Sequence, residues 1–511
     1  MTEESQERSV EPVIERRNSP ERTDQGGAWR VAASGLLVLV VAVFARVLVT
    51  SLQDGFWSLS NELPGAVEAY RDQASWPRLY RCELMEGVRP ALSSILFRVA
   101  FILGGVSVAS VQWLGVFMGA MIAVAGWFGA RSWYGPREGL CVGLLLALLP
   151  GHIGTGIGFD PALLGPTFLV VGWALSGAVR VAAPSRLGTA LLFAGSFVAG
   201  MAVLARFELA LFIPFAALSL LLLTNLNWME RVGAAFLVCL PTLYLMGCDV
   251  YWTSLAEFPS FYKAQLNTSA GITGMSFIES SRAWLSFGVR PLGLFGIPLA
   301  LLGSLRAGSS FSWRHLLGLS SLTTMLAFLV ARSVNTTLNP QWEYAFAVLV
   351  GVTILTGLGM GQVLRRLEGP SLFGLLVLVL LVLGGAAWLE RSPTGQRLIR
   401  NLYPHSAETG AIYDLFVREQ LPARPPLMIG ESFLTGEDMA LNVWLGRAPL
   451  EDVVPAYRLS RAASLDELLT GTLPPDIYVV VTPELAPVIP EEVMKGWQVF
   501  EVAGWLVLAA P

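Results

Sequence analysis

Long apolar segments recur along almost the whole chain, and they restrict its fold more than any other feature of the sequence. A helix that crosses the hydrocarbon core of a membrane needs about 20 mostly apolar residues. The candidate segments are Val31–Ser51, Val111–Ala130, Leu140–Ile157, Leu163–Ala178, Leu187–Leu204, Leu209–Leu223, Val232–Tyr251, Trp284–Leu302, Leu316–Val330, Tyr344–Gly361 and Leu372–Leu389. Only 14% of the 511 residues are charged, whereas a soluble domain has roughly 25%. The sequence therefore predicts a polytopic α-helical membrane protein with about eleven transmembrane helices.

The arginines between these segments indicate the orientation of the chain. Ala91–Val106 is apolar but short and contains Arg98, so whether it crosses the membrane decides the side of every later connection. If it does not cross, the N-terminal tail and the short arginine-bearing connections share one side, which the positive-inside rule assigns to the cytoplasm. These connections carry Arg131, Arg137, Arg180, Arg186, Arg231, Arg306, Arg314, Arg365 and Arg366. We therefore expect Ala91–Val106 to be interfacial or re-entrant and the N-terminus to be cytoplasmic.

Composition divides the chain into three regions. Residues 1–28 are charged and contain prolines, which is typical of a disordered tail, here a cytoplasmic one. Residues 29–389 form the predicted transmembrane domain, in which residues 52–110 are a long first outer loop with interfacial helices. Residues 390–511 contain the short apolar runs PPLMIGES and DIYVVVTPEL, which we interpret as buried strands, and a predicted terminal hairpin, WQVFEV and GWLVLA. We expect this last region to be a small extracytoplasmic α/β domain.

Asp54 is the leading candidate for catalysis because it lies just beyond an apolar span that itself carries Arg46. A carboxylate at the membrane surface could remove the proton of an acceptor hydroxyl or bind a divalent metal ion. The alternative is a solvated aspartate that caps the helix. Asp160, in the sequence GFDP, is either the cap of the following helix or a second carboxylate facing Asp54. Glu62 is a further carboxylate of the first outer loop.

Arginines on the outer side depart from the expected charge distribution and are candidates for phosphate binding. Arg206 and Glu208 stand between two spans with almost no loop. Arg206 therefore either pairs with Glu208 or donates two parallel hydrogen bonds to phosphate oxygens. The other candidates for substrate binding are Arg46, Glu62, Arg89, His152, Glu208, Arg332, Glu343 and Tyr344. For His152, a structural role is the alternative.

Several classes of function are not supported by the sequence. It contains no phosphate-binding loop, no dinucleotide-binding glycine motif and no Asp-x-Asp triplet, so a nucleotide or nucleotide-sugar site is not indicated. A net charge of −4 gives no sign of nucleic-acid binding. Three further classes of function remain open. They are a polymerase or ligase of lipid-linked glycans, a transporter, for which paired broken helices are lacking, and a non-catalytic membrane scaffold.

Several stretches resemble the membrane glycosyltransferases of the GT-C class, in particular the bacterial relatives of protein O-mannosyltransferases and aminoarabinose transferases. The resemblance is one of pattern and order, and it covers most of residues 29–389. An arginine in the first span is followed by an aspartate, Asp54, that opens a long outer loop. The stretches RPALSSILFRVAFILGGVSVASVQWLGVFMG, WFGARSWYGPREGLCVGLLLALLPGHI and FVAGMAVLARFELALFIP then follow in the family's order. Gly55 stands where many members carry a glutamate after the aspartate.

The resemblance implies a hexosyl or pentosyl transferase of the GT-C type in the inner or plasma membrane. Such an enzyme takes a sugar from a polyprenyl-phosphate carrier and passes it, with inversion, to a lipid, glycan or protein acceptor on the outer face. Asp54 would be the general base, Asp160 would orient the acceptor, and Arg206 with other outer arginines would hold the leaving phosphate. A divalent metal ion is the one cofactor that the family suggests, and no ligand is assigned to it.

Overall fold

The computed structural model describes residues 25–52, 70, 92–157, 161–181, 186–206, 209–210, 212–222, 227–254, 292–309, 342–366, 374–377, 379–384, 415, 426–429, 469, 478–481, 485–502 and 505–509. In these parts of the chain, four helices are long and apolar enough to cross a membrane, judged by length and composition. They contain the segments Trp29–Val49, Ala109–Tyr134, Arg186–Ala205 and Trp228–Gly247. Shorter apolar helical segments cover Ile95–Gly104, Leu164–Gly177, Phe295–Leu305 and Gly374–Gly384. The count of about eleven crossings stays a prediction.

The helices overlap the predicted apolar segments. In chain order they are α1 (Gln25–Leu52), α2 (Leu92–Gly104), α3 (Val108–Tyr134), α4 (Pro136–Leu148), α5 (Pro150–Ile157), α6 (Leu164–Val181), α7 (Arg186–Ala205), α8 (Phe212–Leu221), α9 (Trp228–Ser254), α10 (Gly293–Ser309) and α11 (Trp342–Arg366). A short 3₁₀ helix, Pro161–Leu163, precedes α6. The predicted span Leu316–Val330 lies outside the described residues, and only parts of Leu372–Leu389 lie within them.

The core is a row of packed helices in which each helix contacts its neighbours. The order of contact is α10, α11, α4, α3, α6, α7, α9 and α8, and α1 packs in the groove between α3 and α4. Glycines allow the closest approaches in this row. A Cβ added to Gly303 of α10 would collide with the backbone of Leu355 in α11, so the two helices meet backbone to backbone there. Close packing of this kind is typical of helix contacts in membranes.

One stripe of α1 faces the protein and the rest faces outward. Val38, Ala42 and Arg46 are fully buried and lie four residues apart, so they share one side of the helix. Leu36, Val40 and Phe44 are between half and two-thirds exposed. Large exposed apolar side chains on a long apolar helix are expected to contact lipid. Arg46 is therefore turned toward the bundle and away from the lipid-facing side.

The predicted single span Leu140–Ile157 is divided into two helices, and in this respect the prediction was wrong. α4 ends at Leu148 and α5 begins at Pro150. Proline has no amide hydrogen and its ring clashes with the carbonyl one turn earlier, so it breaks a helix but starts one well. The break leaves carbonyl groups of the last turn of α4 available to other donors.

The segment Ala91–Val106 forms α2, a helix of 13 residues. At a rise of 1.5 Å per residue it is about 20 Å long, which is too short to cross a hydrocarbon core of about 30 Å without thinning of the bilayer. Phe97 and Phe101 are buried, whereas Ile102 and Leu103 are exposed on the other side. The interfacial or re-entrant placement of this helix stays a prediction.

The four predicted strands of the C-terminal region are confirmed. They are β1 (Pro426–Ile429), β2 (Tyr478–Val481), β3 (Gln498–Val502) and β4 (Trp505–Ala509), and they form one mixed sheet in the order β1-β2-β4-β3. β1 runs parallel to β2, and β3 and β4 form the expected antiparallel hairpin. A short helix, α12 (Glu491–Met494), lies between β2 and β3. The extent of this region as a separate outer domain remains a prediction.

Candidate functional site

Arg46 is the centre of a buried polar cluster near the end of α1. Its guanidinium is fully buried and donates to three backbone carbonyls. Nη1 donates to Ala42 in its own helix at 2.9 Å and to Ala147 at 3.3 Å, and Nη2 donates to His152 at 3.3 Å. Ala147 lies in the last turn of α4 and His152 in the first turn of α5. Arg46 thus bonds to both sides of the helix break and ties it to α1.

Two glycines make room for the Arg46 side chain. A Cβ on Gly119 of α3 would overlap the guanidinium, because it would lie 2.7 Å from Cζ and 2.9 Å from Nη2. A Cβ on Gly156 of α5 would lie 2.9 Å from Nε. The arginine is therefore held between α3 and α5 as well as by its hydrogen bonds, and even a methyl group on either side would displace it.

His152 extends the cluster from α5 to α11. Its side chain is fully buried, Nε2 lies 3.1 Å from the Thr353 hydroxyl, and the imidazole meets the Phe346 ring edge-on at 5.1 Å. The Thr353 hydroxyl donates its proton to the Leu349 carbonyl at 2.7 Å, so it can only accept from His152. Nε2 therefore carries the hydrogen and Nδ1 is an acceptor, for which no partner occurs among the described residues. We call Arg46, His152 and Thr353 the Arg46 cluster.

One face of α11 carries Thr353 at one end of the bundle and contacts a second buried polar group at the opposite end. Positions four residues apart lie on one face of a helix, and from Thr353 this face continues through Gly357 and Gly361 to Arg365. A Cβ on Gly357 would collide with Val142 of α4, and one on Gly361 with Glu138. The distance along the helix from Thr353 to Arg365 is about 18 Å. This one stripe of α11 thus packs on α4 at Val142 and Glu138.

At this far end, Arg365 joins α11 to the turn between α3 and α4. Its Nη2 lies 2.9 Å from one Glu138 oxygen and 3.1 Å from the other, and it donates to the Tyr134 carbonyl at 2.7 Å. Glu138 is fully buried, while the Arg365 side chain is 42% exposed. Gly135 joins the helices with a φ of 129°, a conformation that favours glycine. We call Tyr134, Glu138 and Arg365 the Arg365 cluster.

Arg206 lies at the end of α7, next to the start of α6. Its amide donates to the Ala202 carbonyl at 2.9 Å, and its own carbonyl accepts from Leu209 at 3.0 Å. The side chain is half-buried, and a Cβ on Gly165 would touch its Cβ and Cγ at 3.5 Å. Gly165 comes five residues after Asp160 in the chain. Arg206 is therefore close in space to the helix that the Asp160 segment leads into.

The structure brings some of the predicted site residues to one end of the bundle. The Arg46 cluster, the 3₁₀ helix before α6 and the first half of α11 pack together there. Glu343 and Tyr344 lie in the first turn of α11, at this same end. Asp54, Glu62, Arg89, Asp160, Glu208 and Arg332 lie outside the described residues. In sequence, however, Asp54 follows α1 by two residues and Asp160 follows α5 by three.

No group of three or more His, Cys, Asp or Glu side chains that could hold a metal ion occurs in the described part of the chain. Sequence reasoning missed Thr353 and the two glycines that flank Arg46. A threonine in an apolar span has many explanations. The signal that could have found it is the four-residue spacing of Thr353, Gly357, Gly361 and Arg365.

Comparison with known proteins gives no match to a family model and no similar curated protein. Solved structures are similar in fold. ArnT from Cupriavidus metallidurans has been solved bound to undecaprenyl phosphate and in the apo state. The TM-scores are 0.55 and 0.57, at 15% and 16% identity. The matches cover 96% and 95% of this chain, and 100% and 99% of ArnT.

The oligosaccharyltransferase AglB from Archaeoglobus fulgidus, solved with an inhibitory peptide and a dolichol-phosphate, gives a TM-score of 0.51 at 10% identity. The match covers 95% of this chain and 74% of AglB. Both proteins are GT-C glycosyltransferases. The predicted resemblance is thereby confirmed at the level of fold: the chain is a helical membrane protein with the fold of ArnT and AglB.

Proposed function

We propose that the protein is an integral-membrane glycosyltransferase that moves a sugar from a polyprenyl-phosphate-linked donor to an acceptor at the outer face of the membrane. The observation that carries the proposal is the fold shared with ArnT over nearly the full length of both chains. ArnT was solved with undecaprenyl phosphate and AglB with a dolichol-phosphate. A polyprenyl phosphate therefore suits this fold, and the acceptor is a lipid, a glycan or a protein.

In the proposed topology the N-terminus is cytoplasmic and residues 390–511 are extracytoplasmic. The distribution of arginines supports this orientation, because Arg131, Arg137, Arg365 and Arg366 all belong to one end of the bundle. The Arg46 cluster and Arg206 belong to the other end. By the positive-inside rule the first end faces the cytoplasm, and the site is then on the outer side of an inner or plasma membrane.

The proposed reaction is an inverting displacement with Asp54 as general base. The acceptor oxygen attacks the anomeric carbon while Asp54 takes its proton, and the bond between that carbon and the phosphate oxygen breaks with its electron pair on the phosphate. Asp160 orients the acceptor hydroxyl. What supports this pair is the Arg46 cluster, since it joins the helices from which Asp54 and Asp160 follow by two and three residues. Glu62 is the competing carboxylate of the first loop.

The leaving phosphate needs fixed positive charge, and Arg206 is the proposed main contact. A guanidinium can donate two parallel hydrogen bonds to phosphate oxygens. Arg206 is supported by its half-buried place beside Gly165, on the helix entered from the Asp160 segment. Arg89 and Arg332 are proposed as further phosphate contacts. Glu208, Glu343 and Tyr344 are proposed to line the same cavity.

For Arg46 we propose a role different from the substrate contact that the sequence predicts, and for His152 we propose the structural alternative. Both side chains are fully buried, and the hydrogen bonds described for Arg46 go to backbone carbonyls. Such an arginine fixes the positions of α1, α4 and α5. We therefore assign Arg46 and His152 to positioning the two carboxylate-bearing segments.

The proposed function is tested by sugar transfer in membranes from a panel of labelled polyprenyl-phosphate donors. General-base catalysis contributes about 10²–10⁴-fold to a rate, so Asp54→Asn should lower transfer by at least about 100-fold. The substitution preserves shape, and expression and donor binding should be nearly unchanged. Glu62→Gln is the matched control and should remain active. Normal activity of Asp54→Asn together with an inactive Glu62→Gln would reassign the base. Absence of transfer by the wild type from every donor would contradict the proposed activity.

A further inference from the structure

Four arginines surround the turn between α3 and α4 and the end of α11. They are Arg131, Arg137, Arg365 and Arg366, and we call them the basic cluster. The contacts of Arg365 and Arg137 join the end of α11 to the turn. Arg365 bonds to Tyr134 and Glu138 of the turn, and Arg137 donates to the Leu364 carbonyl of α11 at 3.2 Å. The Arg131 guanidinium lies 5.9 Å from the centre of the Trp127 ring, one turn earlier on α3.

Positive charge predominates in this cluster. Glu138 is the one carboxylate that the described parts of α3, α4 and the end of α11 contain, and it is fully buried against Arg365. The charges of Glu138 and Arg365 compensate each other. These described parts of the helices therefore contain no further carboxylate for Arg131, Arg137 and Arg366. Glu368 follows two residues after α11, outside the described residues. Even if it is counted, four arginines stand against two glutamates.

Part of each guanidinium in the cluster remains available for a ligand. Arg137 and Arg366 are exposed, Arg365 is 42% exposed and Arg131 is half-buried. A guanidinium has five N–H donors, and Arg137 uses one nitrogen on the Leu364 carbonyl. The contacts of Arg137 and Arg365 hold these two side chains in place, so they lose little conformational entropy when their remaining donors bind an anion.

The location of the cluster indicates which anion it meets. α3 is an apolar helix long enough to cross a membrane, and Arg131 lies in its last turn, directly before the turn to α4. The end of a helix that crosses the membrane lies at the level of the lipid headgroups, where the chain leaves the hydrocarbon core. Phospholipid phosphates are concentrated at that level, and basic pockets between membrane helices bind anionic headgroups there.

We propose that the basic cluster binds the headgroup phosphate of an anionic phospholipid of the surrounding membrane. The phosphate oxygens accept hydrogen bonds from Arg137 and Arg366, and Arg131 adds charge beside them. The lipid holds the α3–α4 turn to the end of α11 from outside, in addition to the Glu138–Arg365 contact within. The inference requires a membrane-spanning chain and does not depend on glycosyl transfer.

The test is thermal unfolding of the purified full-length protein in detergent during titration with phosphatidylglycerol, phosphatidylcholine or inorganic phosphate. Phosphatidylglycerol should raise the unfolding midpoint, and the other two additions at equal concentration should not. The double variant Arg137→Gln with Arg366→Gln should bind phosphatidylglycerol about 10- to 30-fold more weakly, because each basic group near an anionic surface contributes appreciably. The matched control, Arg30→Gln with Arg186→Gln, removes two exposed arginines from other helix ends and should bind normally.

Three results would overturn the inference. Equal weakening in both double variants would mean that net charge, and no defined site, attracts the lipid. An equal rise with inorganic phosphate would indicate a site for a free anion. Unchanged binding by the Arg137 and Arg366 variant would show that the cluster makes no contact with the headgroup. If that variant unfolds without added lipid, the corresponding double Lys variant keeps the charge and loses the fork, and it should still bind at least severalfold more weakly.

Discussion

The Arg46 cluster and the Arg365 cluster lie at two ends of the same stripe of α11, and each contains a buried polar group that joins three segments. At the Arg365 end the essential contact is between opposite charges, a buried Glu138 and a half-exposed arginine. At the Arg46 end the described hydrogen bonds of a fully buried arginine go to neutral carbonyls on both sides of a helix break. The contact at the Arg365 end depends on charge, and the contacts at the Arg46 end depend on the planar, forked shape of the guanidinium.

This difference has a consequence for function. A charge pair tolerates changes in side-chain shape as long as the charges remain, whereas a fork that bonds to two carbonyls requires its exact geometry. The Arg46 end is also the end from which Asp54 and Asp160 follow in the sequence. We therefore expect small changes of shape to impair transfer when they are made near Arg46, and to affect mainly stability when they are made near Arg365.

Gly119→Ala should have the largest effect, because its methyl group would overlap the Arg46 guanidinium. Overpacking of a tight site costs typically about 1–3 kcal/mol, and displacement of Arg46 should also lower sugar transfer by about tenfold or more. Gly247→Ala in α9 is the matched control, since no atom lies within 4 Å of the added Cβ. Thermal unfolding and transfer rates should be measured for both variants. Equal activity of the two would argue against a positioning role for Arg46.

Arg206→Lys should weaken binding of the polyprenyl-phosphate donor by about tenfold, because lysine keeps the charge but loses the fork onto phosphate. Arg186→Lys, at the other end of α7, is the control and should bind normally. The measurement is the donor dependence of transfer, and the change should appear mainly in KM. A normally folded Arg206→Lys protein with wild-type KM would favour a purely structural role for this arginine.

Thr353→Val should have the smallest effect of the three. The variant removes the acceptor of the buried His152 Nε2–H, and an unsatisfied buried donor costs about 1–3 kcal/mol. In the control Thr356→Val, the lost hydroxyl donates to the Val352 carbonyl at 2.9 Å and the Gly296 carbonyl at 3.3 Å. Carbonyls in helices keep their amide partners, so that loss should be close to neutral. A greater loss of stability in Thr356→Val would show that the His152 contact contributes little.

The sequence predicts the helices and strands well because their signals are local. The apolar length of α1 and the alternation in the β3–β4 hairpin need no knowledge of distant residues. The break at Pro150 was missed because the apolar run continues through it. The Arg46 cluster could not be predicted from the sequence, since the carbonyls of Ala147 and His152 lie about one hundred positions away. Backbone acceptors have no signature in side-chain pattern, and only the fold brings them to an arginine.

The contrast between the two ends is tested most directly by one pair of matched substitutions, Arg46→Lys and Arg365→Lys. Both keep a positive charge and both lose the fork. Sugar transfer per folded protein should be measured at saturating donor, together with the thermal unfolding midpoint. We expect Arg46→Lys to lose at least about tenfold in transfer and Arg365→Lys to retain near-normal transfer with a slightly lower midpoint. Equal transfer by the two variants, or a greater loss in Arg365→Lys, would contradict the proposed role of the Arg46 cluster in positioning the catalytic segments.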